Sequence, residues 1–289
     1  MEVIASAAEL RAPLDRARAT GSVVGFVPTM GALHEGHASL LRRAGGETAT
    51  VIASIFVNPL QFGPNEDLAR YPRPLEDDLE VARAHAVDVV FVPTQEEMYP
   101  NGRPEVTVDP GPLGDVLEGA VRPGHFRGVL TVVAKLCNVV GPCRAYFGQK
   151  DAQQLALIRR MVRDLDAPVD VVGCPIVRDQ DGLAISSRNA YLSGEDRRRG
   201  LSLVRALAIA ANLVREGERR VERLEAEMAR RIGAEAPERL DYATVVDDET
   251  WERPATVDRP SRAVVAAMFG TTRLIDNLLL PWDEGAAGR

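Results

Sequence analysis

The chain has 289 residues, 45% hydrophobic and 27% charged, the composition of a globular protein long enough to bury a sizeable core in one large or two smaller domains. Its 35 basic against 42 acidic residues give a net charge of −7, which argues against electrostatic coating of nucleic acid and leaves room for a local basic pocket for a small anion. No apolar run approaches the roughly 20 residues that span a bilayer, and acidic Glu2 and Glu9 stand where a signal peptide would carry basic charge, so the expected location is the cytoplasm. Cys137, Cys143 and Cys174 are odd in number and too widely spaced for paired metal ligation, and are read as reduced, buried thiols.

In chain order, the first strand is expected at VVGFV (Val23 to Val27), followed by a glycine-containing loop and a helix beginning ASLLRRA. Further apolar runs follow at TVIASIFVN (Thr50 to Asn58), VDVVFVP (Val87 to Pro93), RAYFG (Arg144 to Gly148) and DVVGCPIV (Asp170 to Val177). Between them lie helical patterns at Glu76 to Ala86, Gly128 to Val140 and Asp151 to Leu165. Strands that are continuously apolar rather than alternating belong to a parallel sheet covered on both faces. The expected fold class is therefore α/β, with a Rossmann-like parallel-sheet N-terminal domain over residues 1–176 and ligands at the carboxyl ends of its strands. Beyond it, two long charged helices (Gly194 to Arg215 and Arg219 to Ile232) and three β-like runs near DYATVVD, RAVVAAMFG and RLIDNLLL indicate a smaller α+β domain over 177–289, ending in a frayed EGAAGR.

Two of the four histidines lie in PTMGALHEGH. His34 and His37 are three residues apart, so a helix starting near Gly36 puts both imidazoles on one side of its first turn. Amides and dipole at that end favour anions, and Gly31 and Gly36 let the backbone approach one closely, which suits a polyphosphate. Imidazoles there can donate hydrogen bonds to phosphate as charge develops. Zinc is disfavoured, since HExxH needs histidines four apart and no third ligand is evident; no protein metal site is expected. The cluster Glu76, Asp77 and Asp78 reads as a complement to a helix dipole.

HxGH alone is shared by nucleotidylyl transferases and class I aminoacyl-tRNA synthetases. The ordered set PTMGALHEGH, SIFVNPLQFGPNEDLARYPR, HFRGVLTVVAKL, YFGQKDAQQLALIRRMV and DGLAISSRNAYLS, across nearly the first 195 residues, resembles the pantoate–β-alanine ligase family. That resemblance implies ATP-dependent condensation of pantoate with β-alanine through a pantoyl adenylate, releasing AMP and pyrophosphate, on the route to pantothenate and coenzyme A. It implies ATP contacts at Met30, Gly31, His34, Gly36 and His37, at Gly148, Gln149, Lys150 and Asp151, at Val177, and in a mobile phosphate loop at Ile185, Ser186, Ser187 and Arg188. His37, His34, Lys150 and Arg188 would be catalytic, with His37 as proton donor; Gln61, Gln154 and Asn58 would hold pantoate and β-alanine, and Arg122 and His125 would form pocket wall. Mg²⁺ is expected with ATP, and the family resemblance implies a homodimer without nucleic-acid or membrane partners. Two positions depart from the family pattern, Ile185 where Met or Leu is usual and Ala152 where an aromatic is usual; neither removes a polar group.

Overall fold

A computed structural model describes residues 1–64 and 66–282. The EGAAGR segment lies outside the described residues. By chain contacts the protein divides into two units, Met1–Val177 and Arg178–Arg289, so the break falls just after Val177.

The first unit holds strands β1 (Glu2–Ile4), β2 (Val24–Thr29), β3 (Thr50–Ile55), β4 (Val89–Phe91), β5 (Cys143–Gly148) and β6 (Val169–Cys174). Its helices are α1 (Ala7–Ala19), α2 (Glu35–Glu47), α3 (Leu75–Ala84), α4 (Gln95–Met98), α5 (Glu118–Val121), α6 (His125–Val140) and α7 (Ala152–Asp164). The sheet order is β1-β4-β3-β2-β5-β6, with every pairing parallel. The five expected strands are all present; the four central ones are buried on both faces, with Phe26, Ile52, Val90 and Tyr146 each 0% exposed, whereas edge strand β6 is exposed or half-buried between Val169 and Cys174. Strands end where the chain loses ladder donors or turns: β6 stops at Cys174 before Pro175, and β3 stops at Ile55 ahead of the Asn58-Pro59 turn.

The order in which the chain lays down its strands reverses between β2 and β5. These strands are in register only at Gly25↔Arg144 and Phe26↔Ala145, whereas β2 and β3 stay paired to Thr29↔Ile55. The carboxyl ends of β2 and β5 are thus unpaired with each other, the crevice where doubly wound sheets bind ligands.

The second unit holds α8 (Gly194–Gly200), α9 (Ser202–Arg215), α10 (Val221–Gly233), and the antiparallel strands β7 (Arg239–Asp247), β8 (Ser261–Phe269) and β9 (Thr272–Leu279), in the order β7-β8-β9. Its own core gathers Leu207, Leu224, Met228, Val245, Val265 and Phe269. The single helix expected from Gly194 to Arg215 is two helices joined at Leu201. Gly200 sits at the join, and a Cβ there would stand 2.7 Å from Leu274 Cδ1, so the glycine lets the bend lie against β9.

Candidate active site

β2 delivers the chain at Thr29 into a tight loop. Gly31 has φ +80°, and Ala32, at φ 51°, also occupies the left-handed region that non-glycine residues avoid. The loop is held by side-chain oxygens: the Gly31 amide donates to Thr29 Oγ1 (3.1 Å), and those of Ala32 and Leu33 donate to the two oxygens of Asp78 (2.9 and 2.6 Å). Helix α2 then starts at Glu35, one residue earlier than the sequence indicates, because His34 is itself the N-cap (φ −129°, ψ 179°). The Gly36 amide donates to His34 Nδ1 (3.1 Å), and the His34 amide donates to His37 Nδ1 (3.3 Å). The two residues cap one helix reciprocally, with ring centroids 4.1 Å apart.

That capping fixes the chemistry of both rings. An imidazole that accepts at Nδ1 in its neutral form carries its proton on Nε2. His37 is held neutral, its pKa pushed down to about 3, first by burial and then by His34, with Asp151 opposing and Lys150 adding to the depression. At pH 7 His37 is thus an uncharged N–H donor at a helix terminus whose amides and dipole favour anions.

Across the crevice, β5 ends at Gly148, and Gln149–Asp151 form a 3-10 turn that leads into α7. Asp151 is the residue before α7, and Lys150 Nζ lies 4.0 Å from its carboxylate. Gln154 and Gln153 differ as the helical phase requires. Gln154 is half-buried, whereas Gln153 is 5% exposed and knits three segments: its Nε2 donates to the Leu113 and Val116 carbonyls (2.8 and 2.9 Å) and its Oε1 accepts from the Glu118 amide (3.1 Å). Ala152, the departure from the family pattern, opens α7.

A third loop, after β3, carries Asn58 and Gln61 around the turn Pro59–Gln61. Gln61 Nε2 lies 3.1 Å from Met30 Sδ, which joins this loop to the one after β2. Asn58, 1% exposed, has all its polar capacity used within the protein: Nδ2 donates to Gln61 Oε1 (3.0 Å) and the Gly128 carbonyl (3.1 Å), and Oδ1 accepts from Tyr99 (2.8 Å) and the Leu60 amide (3.3 Å). Beneath, His125 Nδ1 donates to the Gln61 carbonyl (2.9 Å), and Arg122 reaches the same carbonyl (3.3 Å) while forming a forked pair with Glu66 (2.6 and 2.8 Å). Burial pushes Glu66 up, but the Arg122 guanidinium outweighs it and leaves the carboxyl below its usual range. Burial, then Arg122, pushes His125 down to about 4. Sequence reading missed Tyr99 and Glu66, whose partners are 41 and 56 residues away and leave no local pattern.

Val177 ends the first unit and is half-buried. Ile185, Ser186, Ser187 and Arg188 belong to the second. There Ser186 caps a 3-10 turn by accepting from the Arg188 amide (3.3 Å), and Asn189 Nδ2 ties the segment to the Ala184 carbonyl (3.0 Å). The preceding hairpin is clamped by Arg178, which makes a forked pair with Asp276 (2.7 and 2.9 Å), and by Arg197, which grips Asp179 (2.7 Å) and Asp181 (2.8 Å). The three cysteines are free and buried, and burial raises each thiol's pKa, so none is primed as a nucleophile.

Fold and site together define a doubly wound α/β protein of the Rossmann-like kind, with an anion-favouring helix terminus beside its topological switch point. Over residues 2–279 the chain matches the family profile of pantoate–β-alanine ligase. It is 54% identical to the pantothenate synthetase of a Nocardioides species, covering 97% of this chain and 86% of that protein. Against the Thermotoga petrophila pantothenate synthetase it is 50% identical, covering 97% and 100%. The crystal structure of the Thermus thermophilus pantothenate synthetase superposes with a TM-score of 0.91 at 50% identity, over 97% of this chain and 100% of that one. A Francisella tularensis pantoate–β-alanine ligase, solved in complex with β-γ ATP and β-alanine, gives 0.74 at 34% identity over 96% and 97%. The chain belongs to the pantoate–β-alanine ligase family, the enzymes that condense pantoate with β-alanine to pantothenate.

Proposed function

We propose that the crevice between β2 and β5 is the adenylating site of this ligase, and that the residues around it act by positioning and charge stabilisation. The reciprocal His34–His37 cap carries the reading, because in each ring Nδ1 accepts a backbone amide, which puts the ring proton on Nε2 at a helix N-terminus, and the Lys150 charge is felt at His37. In the first half-reaction a pantoate carboxylate oxygen attacks the α-phosphorus of ATP, and the bond from that phosphorus to the α,β-bridging oxygen breaks to release pyrophosphate. In the second, the β-alanine amine attacks the acyl carbon of pantoyl adenylate, AMP leaves, and the amine proton is lost. Neither half needs a protein nucleophile; alignment and stabilisation of the phosphate charge supply the rate.

ATP lies along Met30, Gly31, His34, Gly36 and His37 and along Gly148, Gln149, Lys150 and Asp151, with adenine against the Val177 backbone. The phosphates' own charge draws the His37 pKa back upward, so that His37 becomes the proton donor to the leaving group. Gln61 and Gln154 align pantoate. Asn58, with its polar atoms already engaged, acts on the acid by holding the Gln61 amide. The loop of Ile185, Ser186, Ser187 and Arg188 supplies hydroxyls and a guanidinium to the β- and γ-phosphates, the role that the family resemblance gives it. Bound with ATP, Mg²⁺ would be held by phosphate oxygens and water, as that ion prefers, and would supply neutralisation of the triphosphate charge; among the described residues no three His, Cys, Asp or Glu side chains are grouped to hold a metal. No helix among the described residues is long and apolar enough to cross a membrane. The family and the acidic charge support a cytoplasmic homodimer acting on small molecules alone.

The test is exchange of labelled pyrophosphate into ATP, with Mg²⁺ and pantoate present and β-alanine omitted, alongside His37→Ala. Pantoate-dependent exchange that falls sharply to a residual rate in the variant supports the reading; exchange that needs no pantoate, or that runs at the wild-type rate in the variant, contradicts it.

A further inference from the structure

Asp78 is 1% exposed, while its neighbours Glu76 and Asp77 on α3 face solvent. The exposed pair complements the helix dipole as the sequence suggests, but Asp78 turns inward to the loop after β2. Resting on the assignment of His34 and His37 above, we infer that Asp78 is a positioning residue for adenylation, gripping the amides of Ala32 and Leu33 and thereby setting where the two imidazoles stand.

Burial holds the Asp78 carboxyl above its ordinary range, although both amides pull it back toward ionisation. A carboxylate this buried is normally tolerated only with hydrogen-bond partners, and here its two oxygens are spent on consecutive amides at 2.9 and 2.6 Å. Those amides belong to the residues just before His34, and one of them, Ala32, is held at φ 51°. An alanine in the left-handed region relaxes toward extended backbone unless something over-determines it. The carboxylate and the Gly31-to-Thr29 bond together fix three successive amides, Gly31, Ala32 and Leu33. Glycine at 31 is what permits the approach, since a Cβ there would stand 2.7 Å from Asp78 Oδ2. If Ala32 relaxes, the His34 amide turns with it, and the 3.3 Å bond that seats His37 Nδ1 is lost. The carboxylate therefore acts on the reaction through the loop backbone, without meeting a substrate.

Asp78→Asn keeps the size of the group but turns an N–H₂ donor toward one of the two amide donors. It is expected to lower pantoate-dependent pyrophosphate exchange by about tenfold to a hundredfold, the loss that a displacement of order 1 Å in catalytic groups produces. The KM for β-alanine in the complete reaction stays unchanged. A purely structural role would lower exchange independently of His37; a positioning role would not. The deciding measurement is the cycle of Asp78→Asn, His37→Ala and the double variant. The double variant should exchange no more slowly than His37→Ala to within about threefold, because Asp78 acts through the group already removed. Wild-type exchange in Asp78→Asn, or losses that multiply in the double variant, overturns the inference. Wild-type exchange in His37→Ala overturns the assignment of the histidines and the inference with it. Should Asp78→Asn not fold, Asp78→Glu carries the same cycle, since it keeps the charge and moves the oxygens by one methylene.

Discussion

Gly128 in α6 packs against the turn that carries Gln61, and Gly128→Ala separates two opposite expectations. On an open helix, glycine to alanine stabilises by about 1 kcal/mol. Here a Cβ would meet the Leu60 carbonyl oxygen at 2.3 Å, its carbon at 2.4 Å and the Gln61 nitrogen at 2.6 Å, all backbone atoms. A carbon and a carbonyl oxygen come no closer than about 3.3 Å, so helix and turn must part by about 1 Å. Overpacking of that size costs about 1–3 kcal/mol, which outweighs the propensity gain. The displacement falls on the turn holding Gln61 and strains the 3.1 Å bond from Asn58 to the Gly128 carbonyl. A misplacement of about 1 Å lowers turnover by roughly a hundredfold. We expect thermal unfolding to shift downward by a few degrees and kcat/KM for pantoate to fall one to two orders of magnitude, with the KM for ATP little changed. An alanine variant that melts higher and keeps its pantoate kinetics would refute the packing argument and the placing of Gln61 at the acid.

The remaining predictions address other parts of the site. His37 and His125 are held neutral down to about pH 3 and pH 4, whereas in the unfolded chain they titrate near 6.5. Between those limits the unfolded state binds more protons, so stability falls as pH drops below 6.5, by at most about 1.4 kcal/mol per pH unit for each histidine; urea midpoints at pH 7 and pH 5 should show a smaller difference in His125→Gln than in wild type. Gln153→Ala strands two carbonyls and an amide and should cost roughly 2–4 kcal/mol in urea unfolding with pantoate KM unaltered, while Gln154→Ala should raise pantoate KM and leave the midpoint in place. Gly36→Ala would set a Cβ 2.8 Å from His34 Cε1 and should abolish pyrophosphate exchange, whereas Gly45→Ala, with nothing within 4 Å, should retain exchange and stabilise α2 by up to about 1 kcal/mol.

The central strands were legible because a strand buried on both faces writes an uninterrupted apolar run, as Val24–Thr29 and Thr50–Ile55 do. β1 was not: it is three residues long, and two of them are exposed. Helix α1 was hidden by Pro13, which lies inside it. The histidine loop was readable as a strand-to-helix turn because glycines and the HxGH spacing are local, but His34 as N-cap was not, histidine being an uncommon cap. What holds the site together lay beyond local pattern altogether. Asp78 reaches back 45 and 46 residues to its amides, and Tyr99 reaches 41 to Asn58. A carboxylate at the start of a helix looks alike in sequence whether it faces water or a neighbouring loop, and only the packing of α3 decides.

The central claim is that a pantoate carboxylate oxygen attacks the α-phosphorus. Pantoate labelled with ¹⁸O in both carboxylate oxygens, turned over with ATP, Mg²⁺ and β-alanine, tests it most directly by mass analysis of the products. Adenylation predicts one label in AMP for each pantothenate formed, one label kept in the new amide carbonyl, and none in pyrophosphate. ADP in place of AMP, with the label in inorganic phosphate, would contradict it and place the attack on the γ-phosphorus instead.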